Sequence, residues 1–81
     1  MKTREDLVRM VGVLVTTAKL LERDYDAGIV KWREYVRRSQ DVAMQLKVLL
    51  YVLVEKECFY TGNSVDNVIS KALAFLEKEG M

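Results

Sequence analysis

A repeating apolar seam marks the first third of the chain. Its members are separated alternately by four and three residues, which is the spacing of one face of an α-helix: Leu7, Val11, Leu14, Ala18, Leu21 and Tyr25. The seam predicts a helix from about residue 4 to residue 25. Thr3 is placed to cap this helix with Asp6 as its capping-box partner, and Gly28 can take the left-handed conformation that ends it. Gly12 costs roughly 1 kcal/mol relative to alanine inside a helix, so we interpret it as a close approach to another helix.

Seven consecutive apolar residues, at positions 48–54, follow in the second half of the chain. A helix without a polar face must be buried from more than one side. A chain of 81 residues has little mass of its own with which to bury it. We therefore expect a helix over residues 41–60 that lies at the centre of an oligomer. The composition of the run also fits an amyloid-type strand, but the helix is favoured.

Residues 29–41 allow two interpretations. Ile29, Trp32 and Val36 have helical spacing, whereas residues 32–37 alternate imperfectly, as a strand would. The helix is favoured. After a break at residues 61–63, Ser64 is expected to cap a final helix that ends at Gly80. The apolar stripe of that helix is Val65, Val68, Ile69, Ala72, Leu73 and Leu76.

These elements predict a single all-α domain over residues 1–81. Its architecture is an antiparallel hairpin of two long helices plus a short C-terminal helix, in a helical bundle completed by oligomerisation. A chain of this size commonly needs a disulfide, a metal or a partner chain, and its one cysteine, Cys58, cannot form an internal disulfide. The expected oligomer interface consists of Leu7, Val11, Leu14, Leu21, Leu46, Leu50 and Leu53.

The residue types needed for catalysis are sparse. The chain has no histidine, so the usual general base at neutral pH is missing and Cys58 has no imidazole to activate it. A carboxylate metal site in a helical bundle normally uses Glu-x-x-His pairs, which are also missing. We therefore expect a non-enzymatic protein with no catalytic residue, no metal and no cofactor.

Charge is balanced overall at +1, but residues 27–47 carry five basic and two acidic side chains, a net charge of +3. On a helix, Arg33 and Arg37 are one turn apart, with Lys31 and Arg38 close by, and guanidinium groups bind phosphate well. This stretch is the candidate nucleic-acid site. The favoured alternative is a solvated helix face, in which acidic neighbours pair with the arginines and Trp32 packs in the core.

Residues 60–76, with the sequence YTGNSVDNVISKALAFL, resemble the helix-turn-helix half of ribbon-helix-helix DNA-binding proteins. In that family, two chains pair one strand each, and this ribbon enters the DNA major groove. The resemblance implies a strand at residues 33–37 and a phosphate site at the start of the last helix. The residues implied at the phosphate site are Asn63, Ser64 and Val65, and those implied in the dimer core are Val68, Ile69, Ala72 and Leu73.

Two functions are compatible with these patterns. The first is a homo-oligomeric interaction or assembly module that acts by protein–protein association. The alternative is a small dimeric DNA-binding transcriptional regulator that uses residues 31–38 together with Asn63 and Ser64. Charged residues interrupt the N-terminal apolar run, and residues 48–54 are too few to span a bilayer. We therefore expect a cytoplasmic protein without a membrane partner.

Overall fold

Three α-helices make up the computed structural model, which describes residues 3–54 and 65–80. Helix α1 spans Arg4–Asp26, α2 spans Trp32–Val54 and α3 spans Val65–Lys78. The prediction of an all-helical chain is confirmed for these residues, none of which forms a strand. Completion of the bundle by oligomerisation stays a prediction.

Helix α1 begins with the predicted capping box. The Asp6 backbone N–H donates to Thr3 Oγ1, and the Thr3 backbone N–H donates to Asp6 Oδ2, both at 3.2 Å. At the other end, Gly28 has a φ of 79° and its N–H donates to the carbonyl oxygen of Tyr25. The left-handed conformation predicted for this glycine is therefore confirmed, and it reverses the chain.

The interpretation of Gly12 as a close helix–helix approach is wrong. A Cβ atom added at Gly12 would meet nothing within 4 Å. No neighbouring helix therefore requires a glycine at this position.

Helix α2 confirms the helical interpretation of the ambiguous stretch. The helix begins at Trp32, so residues 33–37 are helical and the strand alternative is not observed. It continues without interruption to Val54, and Ser39 lies inside it rather than capping a new helix. The predicted end at residue 60, the break at residues 61–63 and the Ser64 cap lie outside the described residues.

The two long helices form a hairpin because only residues 27–31 connect them. Helix α3 packs against both. The core is formed by apolar side chains from all three helices: Val11, Val15 and Ala18 from α1, Val42, Ala43, Leu46, Leu49 and Leu50 from α2, and Val68 and Ala72 from α3. The predicted C-terminal helix is confirmed from Val65 onward, and Gly80, with a φ of 78°, follows its last turn.

An ion pair joins the first residue of α1 to the end of the chain beyond α3. Arg4 Nη1 donates to Glu79 Oε2 at 2.9 Å, and Arg4 Nη2 donates to Glu79 Oε1. The Arg4 guanidinium also lies 5.9 Å from the centre of the Phe75 ring. Hydrogen bonds from Arg4 lower the pKa of Glu79 below its ordinary value. The pair connects the two ends of the described fold at its surface.

Candidate interaction surface

Helix α2 carries apolar side chains on the side that faces away from the core. Met44, Val48, Tyr51 and Val52 are 67%, 60%, 60% and 54% exposed. At 3.6 residues per turn they lie within about 100° of the helix circumference. We call these four residues the outer stripe. No charged residue belongs to it, so it is a continuous apolar surface over more than two helical turns.

The outer stripe comes from the apolar run at residues 48–54. Within the run, Leu49 and Leu50 are 8% and 1% exposed and belong to the core, whereas Val48, Tyr51 and Val52 face solvent. A helix can direct only part of its circumference toward one hairpin partner, so seven consecutive apolar residues cannot all be buried by it. The expectation that this segment is buried from more than one side is not met within a single chain. Burial of this segment from a second side stays a prediction for an oligomer.

A groove between α1 and α2 adjoins the outer stripe. It has a volume of about 470 Å³, and the residues that line it are Asp6, Arg9, Met10, Val13, Leu14 and Gln45. Its walls are largely apolar, and Val13 is 60% exposed. An ion pair between Arg9 and Asp6, with an N–O distance of 3.8 Å, lies at its edge. Because Gln45 is one turn from Val48 on α2, the groove and the outer stripe form one surface.

The residues predicted as the oligomer interface lie in or around the core of the single chain, and their contact with a partner stays a prediction. Val11, Leu21, Leu46 and Leu50 are at most 6% exposed in the single chain. Leu7, Leu14 and Leu53 are half-buried around the same core. The seam on α1 therefore packs mainly against α2 of its own chain. Of the residues predicted at the oligomer interface, Leu14 also lines the groove that adjoins the outer stripe.

The outer stripe was missed because both faces of α2 are apolar in the sequence. Nothing in the spacing of the apolar run at residues 48–54 says which of these faces turns inward. The available signal is the absence of any charged residue between Lys47 and the end of the run at Val54.

The predicted basic site divides into two parts. Arg33 and Arg37 are exposed and one turn apart on α2. Neither has an ion-pair partner among residues 3–54 and 65–80. Arg38 instead points to another side of the helix, where its Nη2 lies 2.8 Å from Glu34 Oε1. Lys31 precedes α2 and is exposed, while Asn63 and Ser64 lie outside the described residues.

Three aromatic rings surround the turn of the hairpin. The rings of Tyr25 and Tyr35 stack at 4.4 Å with an interplanar angle of 9°. The Trp32 ring lies 5.8 Å from Tyr25 and 6.2 Å from Tyr35. Trp32 is 61% exposed, so it covers the turn instead of anchoring the core. Burial raises the pKa of Tyr35, and the negative charges of Glu22 and Asp66 raise it further.

The described residues contain no group of three or more Cys, Asp or Glu side chains placed to hold a metal ion. In the same part of the chain, no helix combines the length and apolar character needed to cross a membrane. No protein-family model, curated protein or solved structure matches the chain.

Proposed function

We propose that this chain is a non-enzymatic assembly module that acts by association with a second copy through the outer stripe. The observation that carries the proposal is the exposure of four apolar side chains on the helix that also supplies half of the core residues. Exposed apolar patches larger than a few hundred Å² are uncommon on monomers and often mark interaction sites. At roughly 100 Å² per side chain, the outer stripe presents about 400 Å².

A second copy fits this surface because the outer stripe is uncharged. Two copies of the same uncharged stripe meet without like-charge repulsion, which is the requirement for a self-complementary two-fold contact. A specific interface buries about 800 Å² on each partner, more than the stripe alone supplies. The adjoining groove, with Met10, Val13 and Leu14, adds apolar area. An interface at the lower end of the size range is typical of weak, transient association.

The test is the molar mass by light scattering during size-exclusion chromatography, over a range from low micromolar to millimolar protein. The wild type is expected to shift from the mass of one chain to that of two as concentration rises. Val48→Asp places a charge in the middle of the stripe, so it should stay monomeric with an unchanged helical circular dichroism spectrum.

Ser70→Asp is the matched control. It adds the same charge at an exposed position on α3, a helix that contributes no residue to the stripe, and should dimerise like the wild type. A wild type that stays monomeric at millimolar concentration would contradict the proposal. So would a Val48→Asp variant that dimerises normally.

A second candidate function is binding of a polyanion such as DNA, and one observation favours it. Arg33 and Arg37 are exposed, lie one turn apart and are free of ion-pair partners within the described ranges 3–54 and 65–80. Guanidinium groups in this arrangement can contact adjacent phosphates.

This candidate is tested by the fluorescence anisotropy of a labelled DNA duplex at low and near-physiological salt. Binding through phosphates weakens steeply with salt because counterions are released, and Arg33→Glu with Arg37→Glu should abolish it. Absence of binding at low salt would exclude this function. Association through the outer stripe should change little with salt.

A further inference from the structure

We infer that two copies pair their α2 helices antiparallel, about a two-fold axis that passes close to Val48. The inference rests on the proposed association through the outer stripe and goes beyond it by assigning the direction and register of the contact. It follows from two features of the exposed side of α2. One is the distribution of charge along the helix, and the other is the position of Val48 within the stripe.

The charge along the exposed side of α2 is uneven. The apolar outer stripe occupies the C-terminal half, whereas the exposed Arg33, Arg37 and Asp41 lie on the same side in the N-terminal half and together carry a net charge of +1. Arg33 has no ion-pair partner among the described residues, and neither does Arg37. A neighbouring helix aligned with the stripe therefore meets two guanidinium groups and one carboxylate, a net positive surface, if it extends toward the N-terminus of α2.

Parallel pairing brings these cations together. Helices in contact have axes about 8–10 Å apart, so parallel copies would hold Arg37 opposite Arg37 of the second copy at about that distance. This separation is no larger than the Debye length of about 8–10 Å near physiological salt, so the repulsion is only partly screened. Four guanidinium groups would then face one another along one edge of the contact.

Antiparallel pairing centred on Val48 separates the same cations. Arg37 lies eleven residues from Val48, so at 1.5 Å per residue the two copies of Arg37 are about 33 Å apart along the helices. That distance is several Debye lengths, so their repulsion is almost completely screened. The apolar halves can then overlap without bringing the basic halves together.

The register follows from the position of Val48 in the stripe. Met44 and Val52 lie four residues before and after it, on nearly the same side of the helix. An axis at Val48 places Met44 of one copy against Val52 of the other, and Val48 against itself. This alignment places residues 44–52 of one copy against residues 44–52 of the other. A different centre would leave part of the stripe exposed to water.

Cysteine cross-linking tests direction and register together. All variants carry Cys58→Ser, which removes the one natural cysteine. Met44→Cys, Val48→Cys and Val52→Cys are then made singly at positions that are at least 54% exposed, so the fold should tolerate each change. Each protein is oxidised above the dissociation constant of the dimer, and disulfide-linked dimers are measured on non-reducing gels. Chains of two lengths, one with a tag, identify mixed dimers.

The antiparallel arrangement predicts a definite pattern. Val48→Cys should cross-link with itself, at least tenfold faster than Met44→Cys or Val52→Cys alone. The two copies of position 44 are about 12 Å apart along the axis, and so are those of position 52, which is beyond the 4.4–6.8 Å between Cα atoms that a disulfide allows. A mixture of tagged Met44→Cys and untagged Val52→Cys should form the mixed dimer rapidly.

Three results overturn the inference. Self-cross-linking at all three positions without preference for the mixed pair indicates parallel pairing. Mixed cross-linking of Met44→Cys with Val52→Cys but no self-cross-linking at position 48 indicates a different register. In both of these cases the proposed function survives if the Cys58→Ser parent is dimeric by light scattering. A monomeric parent shows instead that the proposed function itself has failed.

Discussion

The inner and outer faces of the helical hairpin are both apolar, yet they have opposite environments in the single chain. On α2, Leu46 and Leu50 are at most 1% exposed, while Met44 and Val48, two residues before each of them, are at least 60% exposed. All four are large apolar side chains on the same helix. The difference shows that apolar character creates a need for burial, whereas the packing of neighbouring helices decides which side chains the chain itself can bury.

The largest expected effect is at Leu50, on the inner face. Leu50→Asp puts a charge into the core, where an unpaired ionised group is not tolerated. The variant is expected to be unfolded, because a chain of this size has only a few kcal/mol of stability to lose. Leu50→Ala should lower the free energy of unfolding by about 2–5 kcal/mol. Circular dichroism during urea titration measures both. A Leu50→Asp variant that folds and has the wild-type urea midpoint would show that the inner face tolerates a charge, which contradicts the difference between the inner and outer faces.

A matched pair of valines on α2 gives the most direct comparison of the two faces. Val42 is 7% exposed and Val48 is 60% exposed. Val42→Ala should lower the free energy of unfolding of the monomer by about 1–3 kcal/mol. Val48→Ala should change it by less than about 0.5 kcal/mol but weaken dimerisation. Urea titrations at protein concentrations below the dimer dissociation constant measure the free energy of unfolding of the monomer. Light scattering measures dimerisation. Equal losses of stability would mean that the outer stripe is buried within the chain.

On the outer side of α1, a substitution of Gly12 is expected to raise the stability of the fold instead of lowering it. Since a Cβ at this position meets nothing within 4 Å, Gly12→Ala should raise the free energy of unfolding by about 0.5–1 kcal/mol. Gly28→Ala is the control, because its φ of 79° is strained for alanine, and it should lower stability. Thermal denaturation compares the two variants with the wild type. Destabilisation by Gly12→Ala would restore the interpretation of a close helix–helix approach.

The smallest expected effect concerns the exposed pair of Arg4 and Glu79 at the edge of the hairpin. The pKa of Glu79 is lower in the folded chain than its ordinary value, so the unfolded chain binds its proton more readily. The contribution of the Arg4–Glu79 ion pair to the free energy of unfolding is present above the ordinary glutamate pKa and is lost as pH falls through the lowered pKa of Glu79. Arg4→Met should therefore reduce stability slightly at neutral pH and less once Glu79 is protonated, when only the contact of Arg4 with the Phe75 ring is lost. The measurement is the thermal midpoint of both proteins as a function of pH, and the Glu79→Gln variant should reproduce the loss.

Local signals in the sequence predicted α1 and both of its ends well. The capping box of Thr3 and Asp6, the left-handed Gly28 and the seam of α1 depend on residues at most a few positions apart, and all were confirmed. Helical spacing also favoured the correct structure for residues 32–37. Gly12 was misinterpreted because the energetic cost of a helical glycine is local, whereas the presence or absence of a neighbouring helix is not. The exposure of the outer stripe could not be predicted from spacing for the same reason.

The sequence by itself determined three things about this protein: an all-helical chain, a hairpin with a short third helix, and more apolar side chains than so short a chain can bury. Only the tertiary structure decided that the seam of α1 packs inside its own chain and that the outer stripe is left exposed. The physical reason is that helix formation and capping depend on neighbours within about one turn. The inward direction of a helix depends instead on which other helices pack against it, and on α2 two faces were apolar enough to compete.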